Sequence, residues 1–245
     1  MNSMAGSASA PRFDQAALKR GAGSVRHPLA RAPLALTFTT GLIDAVSYLA
    51  LGHVFVANMT GNVVFLGFAV AGAPDFSIPA SLVAIASFLA GALGGGRLGL
   101  RMAQHRSRFL AIAILVKLGL VGAAFLVAIA MTDYNVDLIR YGLIALLALA
   151  MGLQNATARS LAVPDLTTTV LTLTLTGLAA DSTLAGGTNP RWARRLLATG
   201  AMFLGAAVGA FLVLRVGPNA ALGMTSVLLG LNAVAAYWVW SRSPT

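Results

Sequence analysis

Six long apolar segments constrain this chain more than any other feature of its sequence. Each approaches or exceeds the roughly 20 helical residues that are needed to cross the ~30 Å hydrocarbon core of a bilayer. The segments are approximately Pro33–Leu51, Ile78–Gly96, Phe109–Met131, Leu138–Thr157, Leu196–Leu214 and Ala221–Trp240. They predict an all-α polytopic membrane protein with the lipid bilayer as its surroundings.

The composition excludes most soluble folds. The chain has 245 residues, of which 58% are hydrophobic and 10% are charged, whereas a soluble domain carries about 25% charged residues. The mean hydropathy is +0.81, and a soluble fold of this length could not bury so much apolar surface. The chain has no cysteine, which excludes disulfides, thiolate catalysis and cysteine-ligated metals.

The net charge of +10 is distributed in short clusters between the apolar segments. A nucleic-acid surface would need one contiguous basic face, so we expect no nucleic-acid partner. Residues 1–32 are polar, basic and rich in Ala, Ser and Gly. They lack the apolar core of a signal peptide, and we expect a disordered cytoplasmic tail. Two membrane repeats are predicted to follow, over residues 33–131 and 138–240.

Two shorter apolar stretches, His53–Gly72 and Leu161–Ala180, each combine an extended piece with a piece rich in Thr and Gly. If both crossed the membrane, the loop with arginines at 97, 101, 106 and 108 would lie outside, against the positive-inside rule. If both enter and return on one side, this loop and the Arg191–Arg195 cluster lie inside, and Asp133 lies outside. We therefore predict six spans and two re-entrant half-helices in a bacterial inner membrane, with both termini cytoplasmic.

The two halves resemble each other. Gly41–Ala45 matches Gly152–Ala156, and Val54–Thr60 matches Val163–Thr169. Phe88–Gly94 matches Phe203–Gly209. An odd number of spans per half makes the repeats inverted, as in many secondary transporters that bind substrate at the repeat interface. The alternative is chance, since small residues recur wherever membrane helices pack closely.

Two motifs carry a resemblance to a known family. The run GLIDAVSYLALGHVFVANMTGNVVFLG and the later TTTVLTLTLTGLAADS resemble the YoaK-type family of uncharacterised bacterial membrane proteins, also called domain of unknown function 1275. The resemblance covers about residues 33–240 and implies a six-span inner-membrane protein without implying a reaction. The paired half-helices are also similar to those of sulfate-permease-type transporters, which is an analogy of architecture alone.

Asp44 is the most informative single residue, because it lies near the middle of an apolar span. A carboxylate there costs at least ~2.5–3.5 kcal/mol on insertion scales and is a functional candidate by default. Thr37, Gly41, Asp44 and Tyr48 share one helical face by their spacing. Asp44 is predicted to be an ion-coupling group. The alternative is a structural aspartate that caps the nearby half-helix or bridges to Asn155.

The predicted half-helices begin near Asn58–Asn62 and near Thr168 and Thr169. Their first N–H groups and partial positive charge could bind an anion or a carbonyl oxygen at membrane depth. Simple N-capping is the alternative, because Asn and Thr favour that position. The predicted substrate-binding residues are Asp44, Tyr48, Asn58, Thr60, Gly61, Asn62, Asn155, Thr168 and Thr169.

Lys117 also lies deep within a span and is predicted to take part in ion coupling. It would pair with Asp44 because intramembrane charges usually find partners, or it would be a lysine on a helix seam that snorkels to the interface.

The sequence contains no HExxH, GxSxG or Walker motif. We therefore expect no enzyme, no catalytic residue, no cofactor and no metal. The predicted function is a secondary transporter or channel for a small polar or anionic solute. The alternative is a non-transporting scaffold or accessory subunit, and a homo-oligomer is left open. A polar cavity at mid-membrane would favour transport, whereas sealed Asp44, Asn62 and Thr169 would favour the scaffold.

Overall fold

The computed structural model describes residues 32–131, 134, 136–161, 171–189 and 192–241. All regular structure in these ranges is helical. The helices in chain order are α1 (Ala32–Ala50), α2 (Met59–Val70), α3 (Ile78–Arg101), α4 (Arg106–Ala130), α5 (Asp137–Ser160), α6 (Leu171–Ala180), α7 (Trp192–Arg215) and α8 (Pro218–Ser241), with a 3-10 turn at Thr183–Ala185 before α7. Each of the six predicted long segments is a helix, and the two predicted shorter stretches hold α2 and α6.

Five of these helices, α3, α4, α5, α7 and α8, are long and apolar enough to cross a membrane. The apolar part of α1, Leu34–Ala50, is shorter. Large apolar side chains such as Leu100, Leu126 and Phe203 are exposed on the long helices, where they would contact lipid. The chain is thus an integral membrane protein, and the bilayer is its surroundings.

Two helix pairs pack so closely that only glycine fits between them. In the α1–α7 pair, a Cβ on Gly41 would lie 2.6 Å from the backbone N of Ala206. In the α3–α5 pair, a Cβ on Gly152 would lie 2.8 Å from the backbone N of Ala92. Small residues that allow such backbone contact are the usual packing device of membrane helices.

The two pairs repeat one pattern with the halves of the chain exchanged. Gly41 packs against Met202 and Ala206, and its sequence match Gly152 packs against Phe88 and Ala92. Phe88 and Ala92 precede Met202 and Ala206 by the same number of residues. The sequence match of Phe88 with Phe203 is therefore one residue away from the register of the contacts, because repeated small residues align almost equally well in neighbouring registers.

The remaining helix contacts show the same pattern, in which the two halves of the chain exchange roles. Helix α4 packs on α5 as α8 packs on α1, and α2 packs on α3 as α6 packs on α7. Helices α4 and α8 pack on each other. Buried residues of α1, α4 and α5, including Ile43, Val121 and Leu147, form the main apolar core between these elements.

The contacts between helix termini define two ends of the bundle. At one end, the Arg106 guanidinium donates a hydrogen bond to the backbone O of Leu161. We call this the basic end, and it also carries Arg97, Arg101, Arg108, Arg159 and Arg194. At the opposite end, Tyr134 donates a hydrogen bond to the side chain of Asn219.

Candidate functional site

The chain after α1 turns back along the helix that it has just left. Gly52 and His53 have φ angles of 95° and 55°, and this left-handed backbone makes the reversal. The backbone N–H of Ala57 then donates a hydrogen bond of 3.1 Å to Oδ1 of Asp44, and the N–H of Val56 also interacts with this carboxyl group. Since Asp44 is six residues before the end of α1, the returning segment reaches about 9 Å back along it, at ~1.5 Å per residue.

Asn62 holds this returning segment against α2. Its Oδ1 accepts a hydrogen bond of 2.8 Å from the backbone N of Phe55, and its Nδ2 donates one of 2.5 Å to the backbone O of Phe55. The Asn62 side chain is fully buried. Both of its polar atoms are therefore occupied within the protein, much as a β-bridge would occupy the two groups of Phe55.

The other predicted residues at the start of α2 are arranged around the same turn. Asn58 is the N-cap, and its side chain accepts a hydrogen bond of 3.4 Å from the N of Gly61. A Cβ on Gly61 would lie 2.8 Å from the ring of Phe55, so this position leaves no room for a side chain. Thr60 is exposed. The capping function that the sequence left as an alternative is thus present at Asn58.

We call residues 51–77, which contain α2, the α2 hairpin. An aromatic cluster packs its two ends against each other. Tyr48 stacks on Phe55 with ring centroids 5.1 Å apart, and Phe65 stacks on Phe76 at 4.9 Å. An imidazole nitrogen of His53 lies 3.3 Å from the backbone O of Asp75. The beginning and the end of the hairpin are therefore in contact with each other. Tyr48 of α1 packs on the aromatic cluster of the hairpin.

The Asp44–Lys117 pair considered from the sequence is not formed. Lys117 is 1% exposed, and its Nζ donates to Oγ1 of Thr39 at 3.3 Å and to Oε1 of Gln154. Asp44 instead receives backbone N–H groups of the α2 hairpin. Asp44 and Lys117 thus have separate sets of neutral partners, and the two ionisable groups are held at separate places.

A polar network joins α1, α4 and α5 around Lys117. Because an ammonium group can only donate, the oxygen of the Gln154 amide must face it. The Gln154 Nε2 then donates a hydrogen bond of 3.0 Å to Oγ1 of Thr40. Thr39 and Thr40 each donate to the backbone O of Leu36 at 2.9 Å, so both hydroxyl groups remain available as acceptors.

Thr39, Thr40 and Gln154 are not among the residues that were predicted to form the site. The signal that could have found them is the position of neutral polar side chains within apolar spans. Hydroxyl groups are common on membrane helices because they can bond to the backbone of their own helix. The two threonines were therefore not distinctive in the sequence.

Asn155 lies at the position in α5 that matches Asp44 in α1. Its Nδ2 donates a hydrogen bond of 2.9 Å to the backbone O of Met151. Its buried Oδ1 has no hydrogen-bond partner in the ranges that the structure describes. No bridge from Asp44 to Asn155 is formed there, and the predicted Thr168 and Thr169 lie outside the described residues.

Asp44 and Asn62 are both sealed from solvent, with exposed fractions of 5% and 0%. Among the described residues, no group of three or more His or acidic side chains could hold a metal ion. What the arrangement can do chemically is to hold an acidic and a basic side chain, both buried and apart from each other, on different helices.

Comparison with known proteins identifies a family and a relative of this chain. The family model described as protein of unknown function (DUF1275) matches residues 32–235. The UPF0700 transmembrane protein YoaK of Bacillus subtilis (strain 168) is 33% identical over 146 residues. That alignment covers 60% of this chain and 64% of the relative. No solved structure matches the chain.

Proposed function

We propose that this protein, which belongs to the family described as protein of unknown function (DUF1275), is a secondary transporter or channel for a small polar or anionic solute. The observation that carries the proposal is that Asp44 and Lys117 are both buried within the bundle and do not pair with each other. Buried ionisable groups in membrane helices are costly and mark solute or ion pathways. No catalytic step is assigned, because the sequence has no catalytic motif.

The proposed architecture has six spans in two inverted repeats, with α2 and α6 as re-entrant half-helices. Two observations support it. Helix partners are exchanged between the halves in matching registers. The contact of His53 with Asp75 joins the two ends of the α2 hairpin, which a crossing helix would separate. Inverted repeats of this kind place the substrate at their interface.

The basic end is proposed to face the cytoplasm, with both termini on that side of a bacterial cytoplasmic membrane. Arginines of the last turns of α3, of the first turn of α4 and of the first turn of α7 lie at this end. The positive-inside rule assigns such loops to the cytoplasm.

In this mechanism Asp44 couples an ion to movement of the α2 hairpin. The ionised carboxylate receives the N–H groups of the returning segment, and a charged acceptor makes stronger hydrogen bonds than a neutral one. Uptake of a proton by Asp44 would weaken this attachment and release the segment that ends at Asn58. The sealed arrangement then corresponds to an occluded state in which neither side reaches Asp44.

The second candidate is a non-transporting scaffold or accessory subunit. It is favoured by one specific observation, since Asp44 and Asn62 are sealed and hydrogen-bonded within the hairpin. In that case the carboxylate would serve only to fix the hairpin to α1.

Flux into proteoliposomes distinguishes the two candidates. Purified protein would be reconstituted and tested with formate, nitrate, chloride and neutral urea, with and without an imposed proton gradient. We expect gradient-driven uptake of at least one solute by the wild type. Asp44→Asn keeps an acceptor oxygen for Ala57 but removes the charge, and should reduce gradient-driven uptake to background.

Asp75→Asn is the matched control, because Asp75 is an exposed carboxylate at the other end of the same hairpin. It should retain the uptake of the wild type. Folded wild-type protein without flux of any of these solutes, or an Asp44→Asn variant with undiminished gradient-driven uptake, would contradict the proposal and favour the scaffold.

A further inference from the structure

We propose that Lys117 and Gln154 bind a small monovalent anion between α1, α4 and α5. This inference rests on the proposed transport function and specifies the class of solute. The site is built from a buried ammonium group, a buried amide and two threonine hydroxyl groups, which lie on three different helices.

Lys117 has no acidic partner among the described residues. All seven acidic residues of the chain are aspartates, and four of them lie in the described ranges. Asp44 is bound by the α2 hairpin, Asp75 is exposed, and Asp137 and Asp181 pair with Arg140 and Arg195. None of these four is an ion-pair partner of Lys117. A buried cation is stable in a bilayer only when it is paired or solvated, and a solute anion would supply that charge.

The N–H donors of Lys117 and Gln154 outnumber their acceptors in the described ranges. An ammonium group has three N–H donors, and Lys117 has two acceptors, on Thr39 and Gln154. The amide nitrogen of Gln154 has two donors, and one is directed to Thr40. Among the described residues, one N–H group of the Lys117 ammonium and one of the Gln154 amide thus have no acceptor. An excess of donors selects an anionic ligand and disfavours a cation.

The charge and the burial of this site limit the valence and the size of the anion. One positive charge with neutral neighbours balances one negative charge, whereas a divalent anion would leave a net charge buried. Lys117 and Gln154 are 1% and 8% exposed, and both contact adjacent residues of α1. Halide, nitrate and formate fit these conditions better than a bulky organic anion does.

The test is thermal unfolding of the purified full-length protein in detergent. Sodium chloride, nitrate or formate would be titrated against sodium gluconate at constant ionic strength, with sulfate as the divalent comparison. Ligands that bind the folded state raise Tm with concentration. We expect a saturable rise with at least one of the three small anions and none with sulfate.

Two variants test the assignment. Lys117→Met replaces the buried cation by an apolar chain of similar length, a change that is often tolerated or stabilising, and should weaken anion binding by at least about tenfold. Gln154→Glu places a carboxylate beside Lys117 as an internal counter-ion and should abolish the anion response while the protein remains folded. Arg215→Met removes an exposed cation at the end of the bundle opposite the basic end. The Tm of this variant should respond to the anions as that of the wild type does.

A wild type whose Tm responds to none of the three anions would overturn the site. So would a response that both Lys117→Met and Gln154→Glu retain. The outcome is separable from that of the proposed function. Anion binding that depends on Lys117 without flux would support the site and refute transport, whereas flux of urea that is unaffected by Lys117→Met, without an anion response, would refute the site and support transport.

Discussion

At the scale of single residues, the two buried charges are stabilised in different ways. Asp44 is bound by backbone N–H groups only thirteen residues further along the chain, at Ala57. Lys117 is bound by side chains of α1 and α5, which are distant in sequence. The sequence could place both charges within apolar spans, because their neighbours are apolar. It could not predict their partners, because a backbone N–H donor at a chain reversal can belong to almost any residue type.

Asn62 shows how a residue selected as a ligand donor can be structural. Asn62→Leu removes both hydrogen bonds to Phe55 and leaves its buried backbone groups unsatisfied. We expect the free energy of unfolding to fall by about 1–3 kcal/mol, the range for an unpaired buried polar group. Because these atoms are occupied within the protein, the loss of Tm should be equal with and without the anion that binds best.

Asn58→Ala is the matched control for this prediction. The Asn58 side chain accepts a long cap hydrogen bond at an exposed position, so the effect of its removal should be smaller than that of Asn62→Leu. If the Asn62 variant lost more stability in the presence of the anion than in its absence, Asn62 would have to be returned to the binding site.

At the scale of helices, the apolar segments predicted the elements well and their contacts poorly. All six long helices and both short ones lie where the pattern placed them, although α3 extends to Arg101, beyond the predicted end at Gly96. Helices in lipid do not show an apolar face toward a core, because lipid is as apolar as the interior. Apart from the glycines, little in the sequence therefore indicates which helix packs on which.

The α3–α5 contact offers a direct test of this packing. A Cβ on Gly91 would lie 2.9 Å from the backbone C of Leu149, whereas a Cβ on Gly94 would meet nothing within 4 Å. Gly91→Ala should destabilise the protein by about 1–3 kcal/mol, as overpacking does. Gly94→Ala should be neutral or stabilising by up to about 1 kcal/mol, because glycine is unfavourable within a helix. Tm values of the two variants in detergent provide the measurement, and equal effects would contradict the contact.

At the scale of the whole molecule, the distribution of arginines and the contacts between helices assign the helix ends to the same two ends of the bundle. The basic end gathers the α3–α4 connection and the ends of α5 and α8. Residues 162–170, which precede α6, lie outside the described ranges. The inverted arrangement stays a prediction, which follows from the odd number of spans that is proposed for each half.

Cysteine labelling in intact cells tests this topology, since the chain has no native thiol. Gln104→Cys, in the exposed α3–α4 connection, should resist a membrane-impermeant maleimide until the cells are opened. Ala71→Cys, at the exposed end of α2, should react from outside. The reverse pattern is expected if α2 crosses the membrane, because the connection at residue 104 would then be external.

The close contact between α1 and α7 has a consequence for how the protein is made. Gly41 leaves the ribosome long before Met202 and Ala206, its packing partners. At ~5–20 residues per second, the interval is roughly 10 to 30 s. During that time α1 must reside in the membrane or beside the insertion machinery without its closest neighbour. The carboxylate of Asp44 does not have to wait, because its donor at Ala57 is synthesised almost immediately. The hairpin thus shields the Asp44 carboxylate soon after its synthesis. The glycine surface of α1 stays exposed until α7, in the last third of the chain, has been synthesised.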